Sequence, residues 1–232
     1  MEIKAIKTRI FRENEDLLQF ILEYIKKIPE KSVLVITSKI VALSEGRTVK
    51  YESKKQKSEL IKKESDFALR TKFVWFTRKN DTIMANAGVD ESNGGGRMIL
   101  SPEDSFASAQ KIHTLLCQYF KLKNLGILIS DSALLPLRNG VIAQALGYFG
   151  FQGLKNYKGK KDIFGKKFIY SKANIADGLA TAAALCMGEG DEQQPLALIK
   201  DAPVVFTDVM NKRELKINPQ EDIYAPLFNK LN

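Results

Sequence analysis

The chain has 232 residues, of which 44% are hydrophobic and 27% are charged, and its formal net charge at pH 7 is +9. This length and composition fit one globular domain, residues 1–232, with enough apolar side chains to bury a sizeable core. No apolar run approaches the ~20 residues of a membrane helix, and the N-terminus lacks a signal-peptide pattern. We therefore expect a cytoplasmic protein with no membrane partner.

The positive charge is scattered along the chain, with local lysine runs at residues 54–57, 62–63 and 158–167. Aromatic residues are not interleaved with these lysines, as a surface for stacking nucleic-acid bases would require. The pattern favours a solvated lysine-rich face, and nucleic-acid binding is supported by net charge alone. Basic charge can still raise the association rate of an anionic small-molecule substrate.

The first half of the chain predicts two helices, a strand and a hairpin. Helical spacing over residues 16–27 is closed by Pro29, and residues 33–37 read as a buried strand. The charge-rich residues 53–69 indicate an exposed helix. Residues 73–76 and 82–84 are typical of a hairpin that turns at Asn80.

The second half predicts two capped helices around a buried strand. Ser101 is expected to cap a helix that has Pro102 in its first turn and runs to about Phe120, with His113 as a packing or surface residue. Residues 126–130 form a short apolar strand, and the glycines between residues 147 and 165 indicate irregular backbone between short strands. The alanine-rich residues 174–187 predict a helix that ends at Gly188.

The two cysteines, Cys117 and Cys186, both fall within helix-like apolar patterns. This placement predicts buried free thiols rather than a disulfide. The Cys/His spacing of a structural zinc site is absent from the sequence.

A cluster of oxygen ligands follows the strand at residues 126–130. Asp131 and Ser132 come directly after it, and Arg138 lies a few residues further on. A carboxylate at the end of a buried strand is well placed to hold a charged ligand, because the core fixes its position. An ordinary loop aspartate that caps a turn is the alternative.

A second polar cluster occupies residues 85–97, which combine Asp90, Glu91, Ser92 and Asn93 with four glycines. Carboxylate, hydroxyl and amide oxygens are the hard donors that Mg²⁺ prefers, usually together with substrate phosphates and water. Glycines allow the backbone to approach a ligand closely. The run of residues 94–96 can equally be a flexible connector.

Together these motifs resemble the coenzyme F420-0:L-glutamate ligases, γ-glutamyl ligases that use GTP and a divalent metal to attach L-glutamate. The resemblance extends from about Ile36 to Pro203. Besides the two clusters, it is carried by Thr37-Ser38-Lys39-Ile40-Val41, Ser44-Glu45-Gly46-Arg47, Ser101-Pro102-Glu103-Asp104, Arg138-Asn139-Gly140 and Met187-Gly188. It implies an α+β fold of mixed and antiparallel sheets with packed helices in two intimately joined subdomains, and a homodimer.

The resemblance also implies a site that holds GTP and two ions of Mg²⁺ or Mn²⁺. The residues matching the metal ligands are Asp90, Asp131, Ser132 and Glu189. Those assigned to the nucleotide are Thr8, Arg9, Ile10, Phe11, Ser38, Lys39, Asn93, Arg138, Met187 and Gly188. The implied chemistry forms an acyl phosphate on the acceptor carboxylate, which the glutamate amine then attacks. No catalytic base is assigned.

Two segments depart from the family pattern. Leu43 stands where a lysine is usual, and residues 133–137 lack an arginine and an aromatic that the family carries. A phosphate loop of the GxxxxGK[ST] form is also absent from the sequence. The acceptor can therefore be F420-0, a folate-type pterin or another γ-glutamyl compound, and a non-catalytic nucleotide-binding protein remains an alternative.

The predicted homodimer has some support in the apolar residues beside the presumed site, although burial in the core is a competing explanation. These residues are Leu134, Leu135, Leu137, Tyr148, Phe149 and Phe151.

Overall fold

A computed structural model describes residues 1–228, in which strands and helices are interspersed along the chain. The strands are β1 (Glu2–Ile6), β2 (Ser32–Thr37), β3 (Thr48–Lys50), β4 (Phe67–Arg70), β5 (Trp75–Lys79), β6 (Thr82–Ala85), β7 (Arg97–Ile99), β8 (Leu125–Leu134), β9 (Val141–Phe149), β10 (Leu154–Asn156), β11 (Lys172–Asn174) and β12 (Leu196–Lys200). The helices are α1 (Leu17–Tyr24), α2 (Ser38–Ser44), α3 (Lys54–Lys63), α4 (Ser105–Phe120), α5 (Ile175–Met187) and α6 (Ala225–Phe228).

The largest sheet has five strands in the order β1-β12-β2-β8-β9. Strands β2 and β8 are parallel, whereas the other neighbours in this sheet pair antiparallel. Three small antiparallel sheets are formed by β3 with β7, by β4-β5-β6 and by β10 with β11. The α+β class with mixed and antiparallel sheets is therefore confirmed.

The central strand β2 is apolar on both faces because helices cover the sheet on both sides. Leu34 and Ile36 point into the core shared with α1 and α4. Val33 and Val35 point the other way, into the core shared with α5. This double coverage explains why β2 reads as a continuous apolar run rather than as an alternating pattern.

Strand β8 continues through Asp131 and Ser132 to Leu134, so the predicted strand end at residue 130 is wrong. Pairing with β9 extends the strand, and the register changes where the polar residues begin. Ile129 pairs with Gly147 and Ser130 pairs with Ala145, which leaves Leu146 as an extra residue in β9. Such a bulge re-aims the neighbouring side chains at the edge of a core.

Several predicted boundaries change in the structure. The helix expected over residues 53–69 ends at Lys63, and β4 follows because it pairs with β5. Helix α4 is capped by Asp104 rather than by Ser101, since the Asp104 carboxylate accepts the backbone N–H groups of Phe106 and Ala107. The nine-residue strand β9 was not predicted, because Gly147 interrupts its apolar pattern. The predicted ends of α5, at Asn174 and Gly188, are confirmed.

Both cysteines are free thiols, as predicted, but only Cys117 is partly buried. The prediction of a buried Cys186 is wrong, because Cys186 lies on the solvent side of α5 while Ala183 and Met187 face the core. His113 is a packing residue, since its buried ring lies edge-on to Phe149 at a centroid distance of 4.8 Å.

A smaller apolar cluster under α3 is linked to the rest of the fold by a charged network around Glu64. The Glu64 carboxylate contacts Arg47 Nη2 at 3.0 Å and Lys79 Nζ at 2.7 Å. Burial favours the neutral acid, but the two cations outweigh it and hold the pKa of Glu64 below its ordinary value. The network therefore joins α3 to β5 and to the segment after α2.

Replacing Glu64 with glutamine is expected to cost about 2 kcal/mol at pH 7, because it leaves two partly buried cations unpaired. A lowered pKa contributes stability that is present above the unfolded pKa and is lost as pH falls through the folded pKa. The difference in stability between the variant and wild type should therefore shrink as the pH falls below 4.5, the ordinary pKa of this carboxyl group. Urea denaturation at pH 7 and pH 4 measures it. Glu91→Gln, which removes an exposed pair with Lys57, is the control and should cost under about 1 kcal/mol.

Within residues 1–228, every helix is too short or too polar to cross a bilayer.

Candidate functional site

The candidate site lies at the carboxyl end of the parallel pair β2 and β8. Thr37 pairs with Ser130 at this end, and α2 begins at the next residue of the chain. The pairing brings Ser38 next to Asp131, and the Ser38 hydroxyl donates to Asp131 Oδ1 at 3.1 Å. The carboxyl ends of parallel strands are a common location for ligand-binding crevices.

A cavity of about 560 Å³ opens at this position, large enough for a small-molecule ligand. All the residues predicted for the site line it except Asp90 and Arg138. Asp90 still belongs to the site because it contacts Lys39, which lines the cavity. Arg138 lies on the exposed turn between β8 and β9, and the structure does not place it among the lining residues.

Asp131 is the carboxylate at the centre of this arrangement. Its contacts are hydrogen bonds from the Ser38 hydroxyl and the Ser132 backbone N–H. Desolvation outweighs these bonds and raises the pKa of Asp131 to about 6, although part of the side chain remains open to the cavity. A carboxylate without a nearby bonded cation is suited to receive one from a ligand or a metal.

Asp90 is fixed by its own loop and by α2. A bridge between Asp90 and Ile99 holds its backbone, and Ser92 donates to the carboxylate through its backbone N–H and its hydroxyl, both at 2.8 Å. Lys39 Nζ lies 2.8 Å from Asp90 Oδ2. Burial raises the pKa of Asp90, but Lys39 and Ser92 outweigh it, so that the pKa is lowered. Asp90 is therefore a stable anion at neutral pH.

The other wall of the cavity contains Ser132 and the end of α5. The Ser132 hydroxyl donates to Glu189 Oε2 at 2.8 Å. Gly188 ends α5 with φ of 83°, a conformation that strains other residues, and this turn directs Glu189 back towards β8. Ser132 and Glu189 thus form one hydrogen-bonded pair of predicted metal ligands, and Asp90 and Asp131 form a second group that interacts through charge, since Asp90 and Lys39 both affect the pKa of Asp131.

Among the described residues, no three His, Cys, Asp or Glu side chains converge closely enough to bind a metal by themselves. A divalent ion here would need water or substrate oxygens to complete its coordination, as Mg²⁺ commonly does.

At the N-terminal end of the cavity, the Arg9 guanidinium is already paired with two acids. Its nearest atoms lie 2.7 Å from Glu15 and 3.3 Å from Glu23. Thr8 is held by its backbone, since its N–H donates to the Gln193 carbonyl at 2.9 Å. The segment of residues 8–11 therefore presents backbone and apolar groups to the cavity more readily than the Arg9 charge.

The structure adds a segment to the site that the sequence did not suggest. The loop of residues 190–195, which connects α5 to β12, lines the cavity and returns the chain to the same sheet edge. Gly190 N–H donates to Glu192 Oε2 at 2.8 Å within this loop. The only sequence feature that pointed to this loop is that it follows Met187-Gly188, which the sequence did assign to the site. Leu43 also lines the cavity, beside Lys39 on α2.

Residues 5–201 match the sequence family of F420-0:gamma-glutamyl ligases. The chain belongs to this family. Coenzyme F420:L-glutamate ligase of Methanococcus maripaludis strain C7 is 32% identical over 244 residues, covering 97% of this chain and 97% of that protein. The enzyme of the same name from Methanocaldococcus jannaschii is 30% identical over 244 residues, covering 97% and 96%. The Archaeoglobus fulgidus protein is 27% identical over 232 residues, with 92% of each covered.

Membership of the F420-0:gamma-glutamyl ligase family confirms the resemblance seen in the sequence and makes the chain a ligase-family protein. The match includes all the residues that line the cavity, from Thr8 to Pro195. A non-catalytic binding protein is accordingly the less favoured interpretation, because the acidic residues Asp90 and Asp131 are both present at the site.

Proposed function

We propose that this protein is a nucleotide- and metal-dependent γ-glutamyl ligase that adds L-glutamate to the carboxylate of coenzyme F420-0. The observation that carries the proposal is the cavity at the end of β2 and β8, where Asp131 and Ser38 meet the α5 terminus. The names of the relatives support F420-0 as the acceptor and L-glutamate as the amine.

The oxygen donors of the cavity fit divalent metal. Asp131 makes no salt bridge among the described residues. Burial raises its pKa even though the charge of Lys39 and two hydrogen bonds lower it. Ser132 and Glu189 add a hydroxyl and a carboxylate at hydrogen-bond distance from each other. These are hard ligands of the kind that Mg²⁺ and Mn²⁺ prefer. When bound, such ions neutralise the charge of the transferring phosphoryl group.

In the reaction we propose, an oxygen of the acceptor carboxylate attacks the γ-phosphorus of GTP, and GDP leaves. The glutamate amine then attacks the acyl carbon of the resulting acyl phosphate, inorganic phosphate leaves and the amine loses a proton to solvent. The protein's task is to position three anionic substrates and to limit their repulsion. Lys39 is the cation of the cavity wall that is best placed to contact a phosphate.

The test is a glutamate-incorporation assay with mass-spectrometric detection of the acceptor. Purified protein is incubated with L-glutamate, Mg²⁺ or Mn²⁺, GTP or ATP, and either F420-0 or a reduced folate. We expect a glutamylated product from F420-0 with GTP, and none without nucleotide or metal. A product from the reduced folate but not from F420-0 would mean that the acceptor is a folate. The absence of product from both acceptors would contradict ligase activity.

We also propose a homodimer, and the leucines at the tip of the β8–β9 hairpin support it. Leu134, Leu135 and Leu137 are exposed there, whereas Tyr148, Phe149 and Phe151 are core residues and cannot form an interface patch. Leu137→Asp should convert a dimer to a monomer with little change in the free energy of unfolding per chain, because Leu137 is fully exposed. Light scattering at micromolar protein measures the mass. A wild-type monomer that retains ligase activity would contradict the proposal.

A further inference from the structure

Lys39 occupies a position that a metal bound to Asp90 would compete for. Its ammonium lies 2.8 Å from Asp90 Oδ2 and donates to the Ser92 hydroxyl at 2.8 Å. The Lys39 side chain is 30% exposed and lines the cavity, so the cation lies on the cavity wall rather than in open solvent.

Both oxygens of Asp90 are already engaged. Oδ1 accepts the Ser92 backbone N–H, and Oδ2 accepts the Ser92 hydroxyl as well as the ammonium. A divalent cation on Oδ2 of Asp90 would have to displace the Lys39 ammonium, since two cations at bonding distance from one oxygen repel each other, and a cation on Oδ1 would repel the ammonium from the same carboxylate. The four-carbon stem of Lys39 allows its head to move without moving α2.

Besides Asp90, the charge of Lys39 attracts Asp131, and an anion bound in the cavity would be a further partner for the ammonium. Lys39 belongs to the first turn of α2, next to Ser38, and both residues line the space in which we place the nucleotide. Phosphate oxygens there would offer the ammonium charge-assisted hydrogen bonds to replace those it gives up.

We propose that Lys39 is an internal counter-ion that neutralises Asp90 in the empty site and transfers to the nucleotide phosphates when metal binds. This inference rests on the proposed function. It has a thermodynamic consequence: metal alone binds weakly, metal and nucleotide bind with positive coupling, and the coupling is reciprocal.

The test measures Mn²⁺ binding to nucleotide-free protein by calorimetry. Lys39→Met should tighten Mn²⁺ binding by about tenfold, within the range typical of coupled sites. Lys39→Gln, which keeps a polar group near Ser92, should act in the same direction. Lys57→Met is the matched control, because it removes an equal charge from neighbouring Glu91 without touching Asp90. It should change Mn²⁺ affinity by less than about threefold.

The coupling is measured by repeating the Mn²⁺ titration with a non-hydrolysable GTP analogue. We expect the analogue to tighten Mn²⁺ binding in wild type and to do so much less in Lys39→Met. Unchanged or weaker Mn²⁺ binding in folded Lys39→Met and Lys39→Gln, with loss of binding in Asp90→Asn, would overturn the counter-ion role and leave the proposed metal site intact. Wild-type Mn²⁺ affinity in both Asp90→Asn and Asp131→Asn would overturn the metal site as well.

Discussion

Replacing Asp131 with asparagine is expected to reduce ligase turnover by at least about 100-fold, because even outer partners of bound metals are worth 10- to 100-fold. The change removes the charge at the centre of the cavity but keeps its shape and its hydrogen bond with Ser38. Turnover is measured with saturating GTP and F420-0, and Mn²⁺ affinity is measured by calorimetry on the same preparation.

The same variant should be at least as stable as wild type in the absence of metal. Desolvation raises the pKa of Asp131 to about 6, so the folded protein pays to hold its charge at neutral pH, and asparagine removes that cost. Ser108→Ala, which removes an exposed hydroxyl that bonds Glu45 outside the cavity, is the control for activity. An Asp131→Asn protein that is folded and retains wild-type turnover and Mn²⁺ affinity would remove Asp131 from the mechanism.

Gly147→Ala is expected to destabilise the fold by about 3 kcal/mol, at the upper end of the usual cost of overpacking. A Cβ at this position would lie 2.4 Å from the Ser105 carbonyl carbon and 2.6 Å from the Phe106 nitrogen. Both are backbone atoms of the first turn of α4, so that no side-chain rotation relieves the clash. The loss should also reach the site, because Gly147 pairs with Ile129 beside the bulge that precedes Asp131.

Gly178→Ala is the matched control for Gly147→Ala. A Cβ at Gly178 meets no atom within 4 Å, and alanine favours the helix by roughly 0.5–1 kcal/mol. The two identical substitutions should therefore move the urea midpoint in opposite directions. Equal urea midpoints in the two variants would show that the first turn of α4 is not in close contact with Gly147.

The elements that the sequence predicted well are those whose signals are local. Residues 33–37 are identifiable as a buried strand because apolar residues fill both faces of β2, and α5 is identifiable because residues 174–187 are alanine-rich and Gly188 follows them. Strand β9 was missed for a non-local reason. Gly147 interrupts the apolar strand pattern of β9. The glycine is required because β9 packs closely against α4 at this position, and that contact is seen only in the fold.

The sequence identifies some residues of the site, whereas the contacts between them and one of its loops are seen only in the fold. Asp131 was identified from its place after an apolar strand, but its contact with Ser38 depends on the parallel pairing of β2 with β8, which residues far apart in sequence create. The loop of residues 190–195 is polar and lacks a distinctive ligand spacing, so only the return of the chain to the sheet edge reveals it. Leu43 was noted as a departure from the family pattern, and it does line the cavity.

The most direct measurement is diffraction from a crystal of the protein soaked with Mn²⁺ and a non-hydrolysable GTP analogue, with anomalous data collected at the manganese edge. We expect the triphosphate in the cavity, one manganese peak contacting Asp90 and Asp131, and a second contacting Ser132 and Glu189. A nucleotide bound outside the cavity, or manganese peaks that touch none of these four residues, would contradict the assignment of this cavity as the ligase active site.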